Sequence, residues 1–221
     1  PETETTLVVR GLMDDEAARA MAIAMGSSGE VASAAHLPVN ICGRVIEGVL
    51  KGESSTLLRL EGFAPSVADR VAMLRGLLSS AGAIEEISGE VSRKLWQEVR
   101  DVIPFADGTE RPVWRVSMAP MEAHKLVASM RMGAAADAYY DWQGGLIWMR
   151  LDGEPEAEAV RALIRKYGGG HATLVRAPDA VRAATPVFEP QPAALAALSK
   201  RLKQQFDPDG ILNPGRMVAG V

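Results

Sequence analysis

The sequence predicts an α+β protein built from two ferredoxin-like βαββαβ units, with an antiparallel sheet, flanking helices and a C-terminal helix and loop. Strand-like and helix-like patterns alternate in the order βαββαβ, and the same order occurs a second time along the chain. The spacing between equivalent positions also repeats, which indicates an internal duplication. Of the 221 residues, 48% are hydrophobic and 24% are charged, so the chain has enough apolar material for a core and disorder is excluded.

The first unit is predicted over residues 1–89. Alternation around Leu7 and Val9 predicts the first strand. An apolar face at helical spacing then predicts a helix that begins with Asp14 as its N-cap and ends at Gly26. The strands of this unit are expected at residues 5–10, 30–36, 55–61 and 83–87, and its helices at residues 14–25 and 65–81.

The two units are joined by a linking segment over residues 90–111. It opens with an amphipathic helix, whose apolar stripe is formed by Val91, Leu95, Val99 and Val102. Because this stripe favours burial, we expect the two sheets to join or pack together. The second unit is predicted over residues 112–176, with strands at 112–118, 136–142, 145–151 and 171–176 and helices at 121–132 and 155–167.

A duplication explains the spacing of the two units. Leu7 and Val113 lie 106 positions apart, whereas Leu57 and Leu146, further along the repeat, lie 89 positions apart. An insertion of 17 residues in the first unit, within residues 37–54, accounts for the difference. The alternative is that βαβ alternation is common and the two spacings agree by chance.

Charge and cysteine content narrow the class of protein. The net charge of −4 and the pI of about 5.5 argue against a nucleic-acid partner. The single cysteine, Cys42, excludes an internal disulfide and fits a cytoplasmic setting. No apolar stretch approaches the ~20 residues of a membrane helix, so membrane association is expected only through partner subunits.

Isolated polar residues give weak functional signals. His36, His124 and His171 lack metal-ligand spacing, so no metal site is predicted. A solvated position is favoured for His124, and a surface or capping role is favoured for His171 over a ligand role. The run of glycines at 168–170 follows a helix, which indicates a C-cap and turn rather than a phosphate-binding loop. Trp142 and Trp148 are interpreted as core residues, with a ligand or partner surface as the alternative.

The last forty residues carry the most specific pattern. Residues 192–206 form a predicted amphipathic helix, with Leu195, Leu198, Leu202 and Phe206 on one face. The segment FDPDGILNPGR follows, in which proline and glycine force two turns and hold Arg216 at a fixed place. A rigid loop beside a cation suits a flat or anionic ligand or another domain, and a structural C-terminal lock is the alternative.

FDPDGILNPGR resembles the terminal motif of FAD-linked oxidases of the vanillyl-alcohol oxidase and p-cresol methylhydroxylase type. The segments WRVSM, DWQGGLIWMRL and GGHATLVRAP are similar to the C-terminal half of glycolate oxidase FAD-binding subunits. The resemblance implies a cap domain that closes over FAD, which is bound mainly by an N-terminal domain absent from this chain. It also implies that Asn213, Gly215 and Arg216, in the tail over residues 177–221, lie near the flavin.

The resemblance further implies the FAD-binding subunit of a glycolate oxidase or dehydrogenase complex, with a second flavoprotein subunit and an iron–sulfur subunit as partners. The sequence lacks the histidine motifs of the catalytic hydroxy-acid dehydrogenases, and Gly170-His171 is only a fragment of one. Catalytic residues are therefore unassigned, and the fragment alone is expected to be inactive. Arg115, Trp148 and His171 are the candidates for the substrate cleft. Because the sequence begins at Pro1 without an initiator methionine, we expect a longer chain, with removal of a methionine before Pro1 as the alternative. The alternative function is a non-catalytic module for subunit docking or small-ligand binding.

Overall fold

The computed structural model describes residues 1–215 of the chain. Eight strands and eight α-helices follow one another in nearly the predicted order. The strands are β1 (Thr3–Arg10), β2 (Ser33–Leu37), β3 (Ser55–Gly62), β4 (Ile84–Ser88), β5 (Val113–Met118), β6 (Ala136–Asp141), β7 (Leu146–Leu151) and β8 (Gly170–Arg176). The helices are α1 (Asp14–Met25), α2 (Val39–Cys42), α3 (Ala64–Leu77), α4 (Gly89–Arg100), α5 (Pro120–Gly133), α6 (Ala157–Lys166), α7 (Asp179–Ala184) and α8 (Ala193–Phe206).

All eight strands lie in one antiparallel sheet, in the order β4-β1-β3-β2-β6-β7-β5-β8. The first four strands therefore form one half of the sheet and the last four the other, in mirrored order. The halves meet at β2 and β6, where His36 and Tyr140 are paired. This arrangement confirms the predicted α+β fold class.

One face of the sheet is covered by four helices, two from each half. Side chains alternate between the faces of a strand, so Leu7 and Val9 of β1 point to this face and Val8 points to the other. In the first half, α1 and α3 pack over β1 and β3. In the second half, α5 and α6 pack over the strands through buried residues such as Val127 and Ile164.

The opposite face is covered mainly over the first half, by α4 and by the segment between β2 and β3. This segment corresponds to the predicted insertion, and it contributes Ile41, Cys42 and Leu50 to a third hydrophobic cluster. Leu95 and Val99 of α4 complete the cluster. The linking helix thus covers part of the joined sheet.

A buried polar cluster attaches α4 to β1. The indole Nε1 of Trp96 donates a hydrogen bond of 2.8 Å to the Thr6 hydroxyl. The hydroxyls of Thr6 and Ser92 lie 2.8 Å apart in a second hydrogen bond. These bonds fix the rotation of α4: Trp96 and Ser92 are buried, whereas Val91 of the predicted stripe is 46% exposed.

The predicted apolar face of α8 is not buried among the described residues. Leu195, Leu198 and Leu202 are 44% to 52% exposed, and Phe206 is 83% exposed. The helix itself forms as predicted. Its apolar face, however, packs against no other element within residues 1–215.

Candidate functional site

The three cleft candidates lie on the same face of the sheet, opposite the helices α5 and α6. Arg115 of β5 is paired with Trp148 of β7 on one side and with Thr173 of β8 on the other. Ser117, two residues after Arg115, is paired with His171. Because residues two apart share a face, these five side chains form one surface, which we call the open face. Four of them are half-buried and His171 is exposed.

Arg115 is the cation at the centre of the open face. Among residues 1–215, no carboxylate forms an ion pair with it, in contrast to most of the buried arginines. Its guanidinium carbon lies 5.2 Å from the centroid of the Trp142 ring, in a cation–π contact that restrains the side chain. A restrained guanidinium without a counter-ion is suited to bind a carboxylate or phosphate through two parallel hydrogen bonds.

Trp142 is not a core residue, contrary to the interpretation favoured from the sequence. It lies in a short 3-10 turn between β6 and β7 and is 61% exposed. Trp148 is half-buried and packs against the edge of the third hydrophobic cluster. The core interpretation is therefore wrong for Trp142, and the alternative of a ligand or partner surface stays a prediction.

Gly170 sets the position of His171 on the open face. Its φ angle is 142°, and a Cβ at this position would lie 2.2 Å from the backbone oxygen of Ser117. Only glycine allows such a close approach of two backbones. Gly168 lies in the turn after α6, as predicted, but Tyr167 is the C-cap of that helix. Gly170 is already the first residue of β8, and it places His171 directly beside Ser117.

The C-terminal loop is organised by Asp207. Its carboxylate accepts hydrogen bonds from the backbone N–H groups of Ile211, at 3.0 Å, and Leu212, at 2.9 Å. The ammonium of Lys203 lies 2.5 Å from the same carboxylate and lowers its pKa, as do the two backbone bonds. The loop is thus held in one shape, although Ile211 and Leu212 are 75% and 60% exposed rather than docked in a core.

The loop and the open face are separate features of the described structure. Asn213 and Gly215 both have left-handed backbones, with φ angles of 48° and 69°, and both are exposed. No hydrogen bond among residues 1–215 joins them to Arg115, Trp148 or His171. Arg216 lies outside the described residues.

Sequence reasoning missed a polar cluster where the two halves of the sheet meet, which we call the seam cluster. Its centre is Asp14, the first residue of α1 rather than its N-cap. Its carboxylate accepts hydrogen bonds from the Tyr140 hydroxyl, at 2.6 Å, and from the Arg131 guanidinium, at 2.7 Å. His36 is fully buried, with Nε2 3.4 Å from Asp14 and Nδ1 2.9 Å from the Thr56 hydroxyl.

The electrostatics of the seam cluster favour the ionised carboxylate. Burial by itself raises the pKa of Asp14, but the contacts with His36 and Tyr140 and the charge of Arg131 lower it to about 2. No local sequence pattern identifies this cluster, because its members come from α1, β2, β3, α5 and β6. His36 is inaccessible to solvent, which indicates a structural role.

The described structure contains neither a candidate metal site nor a candidate membrane-spanning helix. Within residues 1–215, no three His, Cys, Asp or Glu side chains gather in an arrangement that could hold a metal ion. None of the helices in this range combines the length and the apolar character that crossing a bilayer requires.

No model of a protein family matches the sequence. The chain is 33% identical over 180 residues to the glycolate oxidase subunit GlcE of Escherichia coli (strain K12). The match covers 79% of this chain but only 42% of that relative, so the chain spans less than half of the length of the relative that it matches. This match confirms the resemblance identified from the terminal motif and the segments of the second unit.

The fold is also found in solved enzyme structures. A 4-ethylphenol oxidase from Gulosibacter chungangensis superimposes with a TM-score of 0.61 and 14% identity, over 99% of this chain and 54% of that chain. A p-cresol methylhydroxylase superimposes with a TM-score of 0.62 and 15% identity, over 99% of this chain and 53% of that chain. At this level of identity the two structures establish the shared fold alone.

Proposed function

We propose that this chain, a homologue of part of the glycolate oxidase subunit GlcE, is the cap domain of the FAD-binding subunit in a flavin-dependent 2-hydroxy-acid oxidase or dehydrogenase complex. In this role it closes over the flavin and shapes the substrate cleft, and glycolate is the proposed substrate. The observation that carries the proposal is Arg115, a cation at the centre of the open face that pairs with no carboxylate in the described part of the chain.

The open face supplies groups that match a 2-hydroxy acid. The Arg115 guanidinium would bind the substrate carboxylate, while the stacked Trp142 ring holds it in place. Ser117 and Thr173 offer hydroxyls beside Arg115, and His171 offers an exposed imidazole that can form a hydrogen bond with the substrate. FAD, when bound, supplies the oxidising power, because it accepts the two electrons that leave the hydroxyl-bearing carbon.

The C-terminal loop fits a contact with FAD. Asp207 holds its backbone in one shape, and the left-handed backbones at Asn213 and Gly215 leave the loop surface open to an approaching flat group. Among the described residues, and apart from its chain neighbours, no atom lies within 4 Å of the position that a Cβ on Gly215 would take. Asn213 and Gly215 are therefore proposed to line the flavin, and Arg216, which follows directly, is proposed to act with them.

The apolar side of α8 supports the proposal of an adjoining flavin domain. Leu195, Leu198, Leu202 and Phe206 are exposed along one side of the helix, and Ile211 and Leu212 continue the apolar surface into the loop. A row of exposed large apolar side chains is typical of an interface. We assign this surface to the N-terminal FAD-binding domain of the same polypeptide. A second flavoprotein subunit and an iron–sulfur subunit are the proposed partners of the complex.

Absorbance spectroscopy of the purified longer polypeptide tests the proposal. We expect a yellow protein that releases FAD on denaturation, whereas residues 1–221 alone retain little or no flavin. Asn213→Ala should lower flavin retention in the longer polypeptide. His124→Ala on α5 is the matched control, because α5 covers the face of the sheet that is opposite to the open face. A colourless protein that releases no flavin would refute the proposal.

The alternative is a non-catalytic module that docks subunits or binds a small ligand. The exposed apolar side of α8 is the observation that favours it. This alternative predicts stable association with partner subunits but no flavin, so the same absorbance measurement separates the two functions.

A further inference from the structure

A second cleft lies beside the open face and is not used by the proposed oxidation. It runs between α4 and the seam of the sheet, and its volume is about 510 Å³, within the range of small-molecule sites. One wall is the side of α4 that carries Arg93, Trp96 and Gln97. The other wall is the end of β6 and the following turn, with Asp141 and Trp142.

The α4 wall presents a cation. Arg93 is exposed, and no carboxylate among residues 1–215 forms an ion pair with it. The neighbouring arginines of the cleft differ in this respect. Arg59 is paired with Glu4 and Glu61, and Arg100 is paired with Asp101. Arg93 is therefore the guanidinium that is available to an anionic group in the cleft.

The opposite wall presents a carboxylate. Asp141 is half-buried. Within the described structure, its carboxylate accepts one hydrogen bond, from the backbone N–H of Trp142 at 2.8 Å. No cation among residues 1–215 pairs with it. Burial raises the pKa of this carboxyl, and the bond from the Trp142 N–H offsets only part of that effect. A simple anion would be repelled at this end of the cleft, whereas a cationic donor would be stabilised.

Two indole rings also line the cleft, Trp96 on α4 and Trp142 after β6. Trp96 is almost fully buried and Trp142 is 61% exposed. Indoles favour flat apolar groups through stacking and burial of apolar area. The cleft thus combines a cation on α4, a carboxylate at the end of β6 and two indole rings among its lining residues.

We propose that this cleft binds a dipolar organic acid, with a carboxylate on Arg93, a flat apolar body between Trp96 and Trp142, and an ammonium group on Asp141. The site is separate from the Arg115 surface, so the proposal goes beyond the oxidase function and does not depend on it. The ring of Trp142 adjoins both surfaces, because it lines the cleft and carries the Arg115 guanidinium.

Calorimetric titration with three related probes tests the proposal. The probe 4-(aminomethyl)benzoate carries both charges, benzoate carries only the carboxylate, and benzylamine carries only the ammonium. We expect 4-(aminomethyl)benzoate to bind about tenfold or more tightly than either of the others, because each charge-assisted hydrogen bond is worth about 1.5–3 kcal/mol. Equal affinity for the three probes, or no heat with any of them, would overturn the proposal.

Two variants assign the ends of the probe. Asp141→Asn should reduce the affinity for 4-(aminomethyl)benzoate to that for benzoate, and Arg93→Gln should reduce it to that for benzylamine. The asparagine oxygen can still accept the Trp142 N–H bond, and Arg93 is exposed, so both variants are expected to fold. Circular dichroism checks this expectation.

Matched substitutions away from the cleft provide the controls. Asp69→Asn on α3 and Arg165→Gln on α6 make the same chemical changes at exposed positions, and should leave the affinity unchanged. If all four variants bind 4-(aminomethyl)benzoate as the unmodified chain does, the probe does not occupy this cleft and the proposal is wrong.

Discussion

Removing the charge of Asp14 should weaken the junction between the two halves of the sheet. The folded-state pKa of Asp14 is about 2, against an ordinary value of 3.8. This carboxyl is only 18% exposed, so the difference converts to about 2 kcal/mol of stability at neutral pH. Asp14→Asn should therefore lower the free energy of unfolding by about 2 kcal/mol, or the melting temperature by about 4–8 °C for a chain of this size.

The pH dependence identifies the source of this loss. A carboxyl whose folded-state pKa is depressed stabilises the fold above its unfolded pKa, and the stabilisation disappears as the pH falls through the folded pKa. The difference between the unmodified chain and Asp14→Asn should thus shrink from about 2 kcal/mol at pH 7 to about 1 kcal/mol at pH 3. Urea denaturation at the two pH values measures it.

Asp15→Asn is the matched control for this experiment. Asp15 is the next residue of α1, but it is paired with Arg19 at the surface, where ion pairs contribute little. If Asp14→Asn and Asp15→Asn lower the free energy of unfolding equally at pH 7, or if the Asp14 effect is the same at both pH values, the seam cluster does not stabilise the junction.

Two further predictions concern the packing and the backbone. Thr6→Val should destabilise the chain by about 1–3 kcal/mol, because it leaves the Trp96 N–H and the Ser92 hydroxyl without partners; urea denaturation measures this, and no loss of stability would show that the cluster does not hold α4. Gly170→Ala should also cost about 1–3 kcal/mol, because the backbone is left-handed and the new Cβ would collide with the Ser117 oxygen. Gly153→Ala is its control, since it meets no atom within 4 Å; thermal melts that do not separate these two glycine variants would contradict the inferred close approach.

Most of the fold could be predicted because the elements carry local signals. Alternation predicts β1 within two residues of its observed start, and Gly26 ends α1 as predicted. The observed boundaries differ from the predicted boundaries where tertiary packing determines them. The linking helix ends at Arg100 rather than Val102, because Val102 takes a left-handed backbone before the next turn. The buried side of this helix also differs from the predicted one, because it includes Ser92 and Trp96, which form hydrogen bonds with Thr6, and not Val91.

The candidate site was only partly predictable. The sequence identifies Arg115, Trp148 and His171 as strand residues, but a shift of one residue would have moved any of them to the helix-covered face. Strand pairing resolves this, because it places all three on one surface. Asp14 and His36 could not be assigned from local patterns, since their partners lie up to 126 positions away in the chain.

The sequence also could not predict that no other element of residues 1–215 packs on the apolar side of α8. Helical periodicity predicts that Leu195, Leu198 and Leu202 share one side, but not what covers that side. In residues 1–215 nothing buries them, which agrees with an interface to a domain outside this chain. The predicted boundaries of the two units stay predictions.

The measurement that tests the central claim most directly is anaerobic reduction of the bound flavin by glycolate in the longer polypeptide, with and without Arg115→Gln. We expect the variant to retain its flavin but to need about tenfold or more glycolate for half-maximal reduction, because a charged hydrogen bond to the carboxylate is lost. Arg165→Gln, on the opposite side of the sheet, should behave as the unmodified protein does. Identical titrations for Arg115→Gln and the unmodified protein would contradict the account, because the open face would then take no part in substrate binding.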